Sequence, residues 1–167
     1  MHGEITGVER RCLSVGDYGC KFENGWEPPF YFERKALGDL YGTMGAGYPR
    51  FKKELARARA QGVRLMLIVE ATLGSVASGY AHSQMSGDSM VKKLFTLRVR
   101  YGLEAIFCDG RREMARYIKE FYCAIGREYL EARVERNSGL LAGKLELGAK
   151  KPAKGGALES GGAQEPG

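Results

Sequence analysis

Histidine is nearly missing from this 167-residue chain: it has two, His2 and His82, far apart. A histidine-built metal site or a serine–histidine catalytic pair needs imidazoles set beside other chemistry, so neither is expected. The four cysteines, Cys12, Cys20, Cys108 and Cys123, form no Cys-x-x-Cys pair, and each lies in or beside an apolar stretch. That pattern is expected of buried thiols in a reducing compartment, not of a zinc site or a disulfide framework. Long hydrophobic runs are absent too. The longest, residues 63–69, is interrupted by Arg64 and falls far short of the roughly 20 residues that cross a bilayer. The first residues carry Glu4, Glu9, Arg10 and Arg11 without an apolar block, so no secretory leader is expected. These absences place the protein, as an expectation, in the cytoplasm, away from membranes.

Positive charge is what the chain has in excess. Lys and Arg number 26 against 20 Asp and Glu, a net charge of +6, which favours a polyanionic partner such as nucleic acid. The length suits one domain with a real core. Residues 8–15 read as a strand broken by Gly16 and Asp17, and residues 18–22 as a short second strand. Asn24-Gly25 is a turn signal between strands, and the aromatic run 30–34 suits a third. Beyond it, Ala36, Leu37, Leu40, Tyr41 and Met44 recur at helical spacing, and residues 50–61 form a strongly basic helix. Residues 63–70 read as a buried strand, and 71–87 as a mobile Gly-, Ser- and Ala-rich loop. A helix capped by Asp88 or Ser89 follows, running to about 100. Residues 103–108 are another buried strand, and 111–135 a long helix with Met114, Tyr117, Ile118, Phe121 and Ile125 on one face. The order predicts an α/β domain over 1–147, with a central mixed β-sheet and helices on both faces. Residues 148–167, nearly devoid of apolar bulk, read as a disordered low-complexity tail.

One constellation carries chemistry. Asp17 follows a strand, and Glu33 and Lys35 lie two apart near the end of the aromatic strand, a spacing that puts both on one face. A hairpin at Asn24-Gly25 folds Asp17 back beside Glu33. Two carboxylates at a strand end make an oxygen site suited to Mg2+ or Mn2+. A neighbouring lysine can orient water or neutralise charge on a phosphate, as metal-assisted phosphodiester hydrolysis requires. The same pattern is also what a solvated ion-pair cluster on a sheet edge would show.

The residues Gly16, Asp17, then Glu33, Arg34, Lys35, then Asp39 resemble the nuclease signature of XPF-type structure-specific endonucleases. The similarity continues through Arg50-Phe51, the strand ending LMLIVE at 65–70 and the unit at 94–108, covering roughly 8–125. The resemblance implies a restriction-endonuclease-like fold and cleavage of branched or recombining DNA. It implies Asp17 and Glu33 as metal ligands, with the Arg34 carbonyl as a third. It implies Lys35 as the catalytic lysine, Arg34 as a phosphate contact or brace, and Asp39 as the partner of Lys35 or Arg34. A leading strand with Asp-x-Arg-Glu and a tandem helix-hairpin-helix module, both usual in the family, have no counterpart in these residues. A DNA-binding module without catalysis, and an RNA or nucleotide phosphodiesterase, are the alternatives.

Arg50, Lys52, Lys53 and Arg57 form the candidate DNA-backbone surface, although a solvated amphipathic face has the same composition. Tyr80, His82 and Gln84 could touch DNA from the 74–87 loop, or that loop could be a plain connector. Trp26 reads as a hairpin cover residue. The helix at 111–135 could serve a homodimer, an arrangement common in the family that the chain resembles.

Overall fold

The computed structural model describes residues 7–148, with side chains described over 7–136. The chain divides into two compact units, Met1–Tyr129 and Leu130–Gly167. The sheet and the candidate site belong to the first. Most of the expected disordered tail at 148–167 lies outside the described residues.

Among the described residues, three strands are interleaved with five helices. Strand β1 (Phe30–Ala36) leads to α1 (Leu37–Met44) and α2 (Tyr48–Ala60). After β2 (Arg64–Glu70) come α3 (Leu73–Ala77) and α4 (Gly87–Tyr101), then β3 (Glu104–Phe107) and α5 (Arg111–Gly148). The strands form one parallel sheet in the order β1-β2-β3. Parallel neighbours need crossover connections, and each here is a helix pair. Both pairs step the same way across the sheet, so connections of one handedness bring them to the same face.

Alternation along β2 sorts the core into two layers. Leu65, Leu67 and Val69 pack with Leu40, Met44, Phe51, Leu55, Met90, Leu94 and Leu97 from α1, α2 and α4. Met66 and Ile68 pack with Phe32, Met114, Tyr122 and partly buried Ile118 and Phe121, so α5 covers the opposite face. The expected placement of helices on both faces is therefore observed, around a small sheet.

The structure departs from expectation at the N-terminal side. Residues 8–15 are irregular, with only Val15 buried. They carry no sustained apolar alternation, and a strand without a buried face has nothing to fix its register. The expected antiparallel component shrinks to one bridge, Tyr18 to Phe32, so the described sheet is parallel rather than mixed. The Asn24-Gly25 turn does form: Gly25 has φ 83°, its N–H reaches the Phe22 carbonyl, and Asn24 Oδ1 accepts the Trp26 N–H. Trp26 stacks on Tyr129 with ring centroids 4.1 Å apart, and on Phe22 at 5.2 Å. Cys108 and Cys123 are buried as expected, but Cys20 is half-buried and Cys12 exposed. The 71–87 stretch contains α3, capped by Thr72, and α4 is capped by Ser86, two residues ahead of the expected Asp88. Gly87 is required there, because a Cβ would stand 1.8 Å from the Ala77 carbonyl oxygen.

Candidate active site

The site is built around the second half of β1. Alternation sends Glu33 and Lys35 to the face covered by α1 and α2, and Arg34 to the face covered by α5. The Gly16-Asp17 turn closes on this strand. The N–H groups of Asp17 and Tyr18 both reach the Phe32 carbonyl, at 2.7 and 3.0 Å. Asp17 Oδ2 accepts the Arg34 N–H at 2.8 Å. Gly16 makes this possible. Its φ is 71°, and a Cβ would come within 3.0 Å of the Phe32 oxygen and of the Leu65 side chain, so a larger residue would be both strained and crowded.

Glu33 is the one charged residue in the buried set among those described. Lys35 Nζ donates to its Oε1. Together they line a cleft of about 330 Å³ with Thr43, Phe51, Arg50, Lys53, Glu54 and Arg57. The last four recur on α2 at i, i+3, i+4 and i+7, one helical face. Lys52 points elsewhere: its ammonium lies over the Tyr48 ring at 5.0 Å, which Lys93 also approaches at 4.5 Å. Of the four candidate DNA contacts, three therefore share the cleft and Lys52 does not. Asp39 is exposed in the first turn of α1. The partners expected from it are instead Glu33 for Lys35 and Glu70 for Arg34, whose guanidinium lies 2.6 Å from Glu70 Oε2.

Glu54 has no role in the reading from sequence, and Glu70 enters it only as the last residue of the LMLIVE strand. Glu54 Oε1 lies 3.4 Å from the Gly16 N–H, tying α2 to the turn that carries Asp17. Burial pushes the Glu33 carboxyl up; Lys35 opposes this, while the charges of Asp17 and Glu54 add to it. Glu33 and Glu54 line the cleft with one ammonium bonded to Glu33, while Asp17 lies beside it, outside the lining residues, with its Oδ2 on the Arg34 N–H. Among the described residues no three acidic, histidine or cysteine side chains converge closely enough to hold an ion unaided. The donors are nevertheless all oxygens, the kind that hard divalent ions take, and Mg2+ commonly uses one or two carboxylates with water and phosphate completing its shell. Asp17 and Glu33 fit that pattern.

A family model of the ERCC4 domain matches residues 3–121, a span that holds the whole β1 constellation and all three strands. The chain belongs to the ERCC4 domain family. This agrees with the XPF-type nuclease signature at Gly16-Asp17 and Glu33-Arg34-Lys35, and makes the ERCC4 domain here a member of a nuclease family that acts on DNA. No curated protein matches the chain. Among the described residues no helix is long and apolar enough to cross a membrane.

Proposed function

We propose that this ERCC4-domain protein is a divalent-metal-dependent endonuclease that hydrolyses phosphodiester bonds in branched or recombining DNA, in the cytoplasm. The observation that carries the reading is the cleft itself. A buried carboxylate–lysine pair, Glu33 with Lys35, faces three cations of one helix, Arg50, Lys53 and Arg57. A surface ion-pair cluster does not need a cleft, nor a buried carboxylate.

Asp17 and Glu33 would hold Mg2+ or Mn2+, with the Arg34 carbonyl as a further oxygen. When bound, the ion supplies Lewis acidity toward the phosphate and an acidified water. Arg50, Lys53 and Arg57 bind backbone phosphates, which takes charge and not base recognition. Lys35 opposes the effect of burial on Glu33 by favouring its ionised form, and its ammonium would offset the negative charge gained by a pentacovalent phosphate. Phe51, buried in the core, supplies an apolar part of the cleft wall.

The test is cleavage of labelled single-stranded, duplex, flap and four-way-junction DNA with Mg2+, Mn2+ or EDTA, with light scattering to distinguish a monomer from a homodimer. Metal-dependent nicking is expected, lost in Lys35→Ala and Asp17→Ala. Binding without cleavage under every condition would overturn the enzyme reading in favour of a non-catalytic DNA module. Cleavage of RNA in preference to DNA would move the activity to the phosphodiesterase alternative.

A further inference from the structure

Behind the cleft, on the α5 face, a second charged cluster has no part in the reading above. Glu70 ends β2 with its side chain only 10% exposed; Arg34 Nη2 lies 2.6 Å from its Oε2. Arg111, from the first turn of α5 and 80% exposed, brings Nε to 3.3 Å from Oε1. That contact is within ion-pair reach but off the hydrogen-bond direction, leaving Oε1 buried without a hydrogen bond.

The strand register explains what this cluster holds. Arg34 pairs with Ile68, and Ala36 with Glu70, the last rung of the β1–β2 ladder. Arg34 and Glu70 are thus diagonal neighbours on one face, within side-chain reach. β1 is an edge strand, and edge ladders open most readily at their ends. On the outer side of β1, past the Tyr18–Phe32 bridge, the Asp17 carboxylate on the Arg34 N–H is the tie that the structure shows. Residue 34 is therefore gripped twice, through its backbone by Asp17 and through its side chain by Glu70. Its neighbours on either side are Glu33 and Lys35.

We propose that Glu70 is a positioning residue. By clamping Arg34 it fixes the end of β1 from which Glu33 and Lys35 project and against which Asp17 is seated, and Arg111 extends the clamp to α5. Arg34 then acts through Glu70 and not by touching a phosphate. This rests on the endonuclease reading for its effect on turnover, but the clamp itself can be measured without catalysis.

The first readout is hydrogen exchange at the Arg34 amide in EDTA, with the Leu67 amide in the centre of the sheet as reference. Glu70→Gln is expected to speed exchange at Arg34 by about tenfold beyond the change at Leu67, which reports any loss of global stability. Equal exchange at Arg34 in variant and wild type overturns the clamp. The second readout is turnover on the best DNA substrate. Glu70→Gln and Arg34→Gln are each expected to lower kcat by about 10- to 100-fold with KM unchanged. The double variant should lose no more than the worse single, and the swap Arg34→Glu with Glu70→Arg should recover part of the loss. Additive losses overturn the coupling. The third is DNA binding against salt. A phosphate contact at Arg34 would make Arg34→Gln shallower in salt dependence by about one unit of slope; positioning leaves the slope as in wild type. Should the Gln variants fail to fold, Arg34→Lys keeps the charge opposite Glu70. It is expected to keep the wild-type melting temperature and about a tenth or more of kcat; complete inactivity with a wild-type melt overturns the proposal. A wild-type protein that cleaves nothing overturns the endonuclease reading alone, and the exchange result still decides the clamp.

Discussion

Two glutamates with side chains only 10% exposed stand on opposite faces of the sheet, and their carboxyls are pushed in opposite directions. Glu33 is raised, chiefly by burial, with one lysine in its favour and two carboxylates against it. Glu70 is lowered, chiefly by the Arg34 hydrogen bond, with Arg111 adding to it. The Glu70 carboxylate is held by two arginines, while Glu33 bonds one lysine and otherwise faces a cleft whose cations, Arg50, Lys53 and Arg57, stand on its far wall. The first arrangement holds a strand in place. The second is suited to an incoming cation and to a substrate that brings one.

The comparison is broken most severely at Glu33. Glu33→Gln is expected to lower cleavage by about 1,000-fold, about 4 kcal/mol of transition-state stabilisation, while leaving stability at pH 8 in EDTA unchanged or slightly higher. A marked loss of stability would mean that Glu33, like Glu70, is a structural ion pair. Glu70→Gln should do the reverse in a melt. It is expected to cost about 1–2 kcal/mol, less than a fully buried pair loses, because Arg34 and Arg111 stay 27% and 80% exposed.

The two carboxyls also predict opposite pH effects in urea unfolding with EDTA. The Glu70 contribution is complete above the ordinary carboxylate value near 4.5 and is lost as pH falls through its lowered folded value. Glu33 favours the folded state below that ordinary value, and this advantage disappears as pH rises through its raised one. Between pH 7 and 3, Glu70→Gln should therefore lose less stability than wild type and Glu33→Gln more. Curves parallel to wild type in both variants would erase the distinction.

Smaller effects sharpen the picture of the cleft. Gly16→Ala is expected to lose about 1–3 kcal/mol from its positive φ and its contact with Phe32, and to lower cleavage by displacing Asp17. Arg57→Gln should reduce the salt slope of DNA binding by about one. Lys52→Gln, whose ammonium lies over Tyr48, should change it least; an equal reduction would put Lys52 back on the DNA surface.

Much of this was readable from residue order. The apolar run ending β2, the short run of β3 and the helical spacings of α1, α2, α4 and α5 all announce themselves, because each buries a face against the sheet. Glu33 and Lys35 share one strand face, as their spacing predicts, and the chain before the Asn24-Gly25 turn returns Asp17 to the same strand, where it meets the Arg34 N–H. Glu54 was hidden by its company: inside a run of cations it reads as one more solvated charge, although its place four residues after Arg50 and three before Arg57 puts it on their face. Glu70 was hidden more deeply. Only the register that sets Arg34 beside Ile68 makes Glu70 its diagonal neighbour, and parallel register is set by packing between segments far apart in the chain. The strand expected at 8–15 failed for the complementary reason, since local propensity offered a strand where no face was buried.

Trp26 has one more use. It is the chain's single tryptophan, and its indole lies against Tyr129 and Phe22, on the α5 side of the sheet and away from the cleft. Its fluorescence is thus a native optical gauge of whether the turn at 22–26 remains seated on α5. Cleft variants can be screened with it without a label, and a variant that dims activity but not this signal has been altered at the cleft alone.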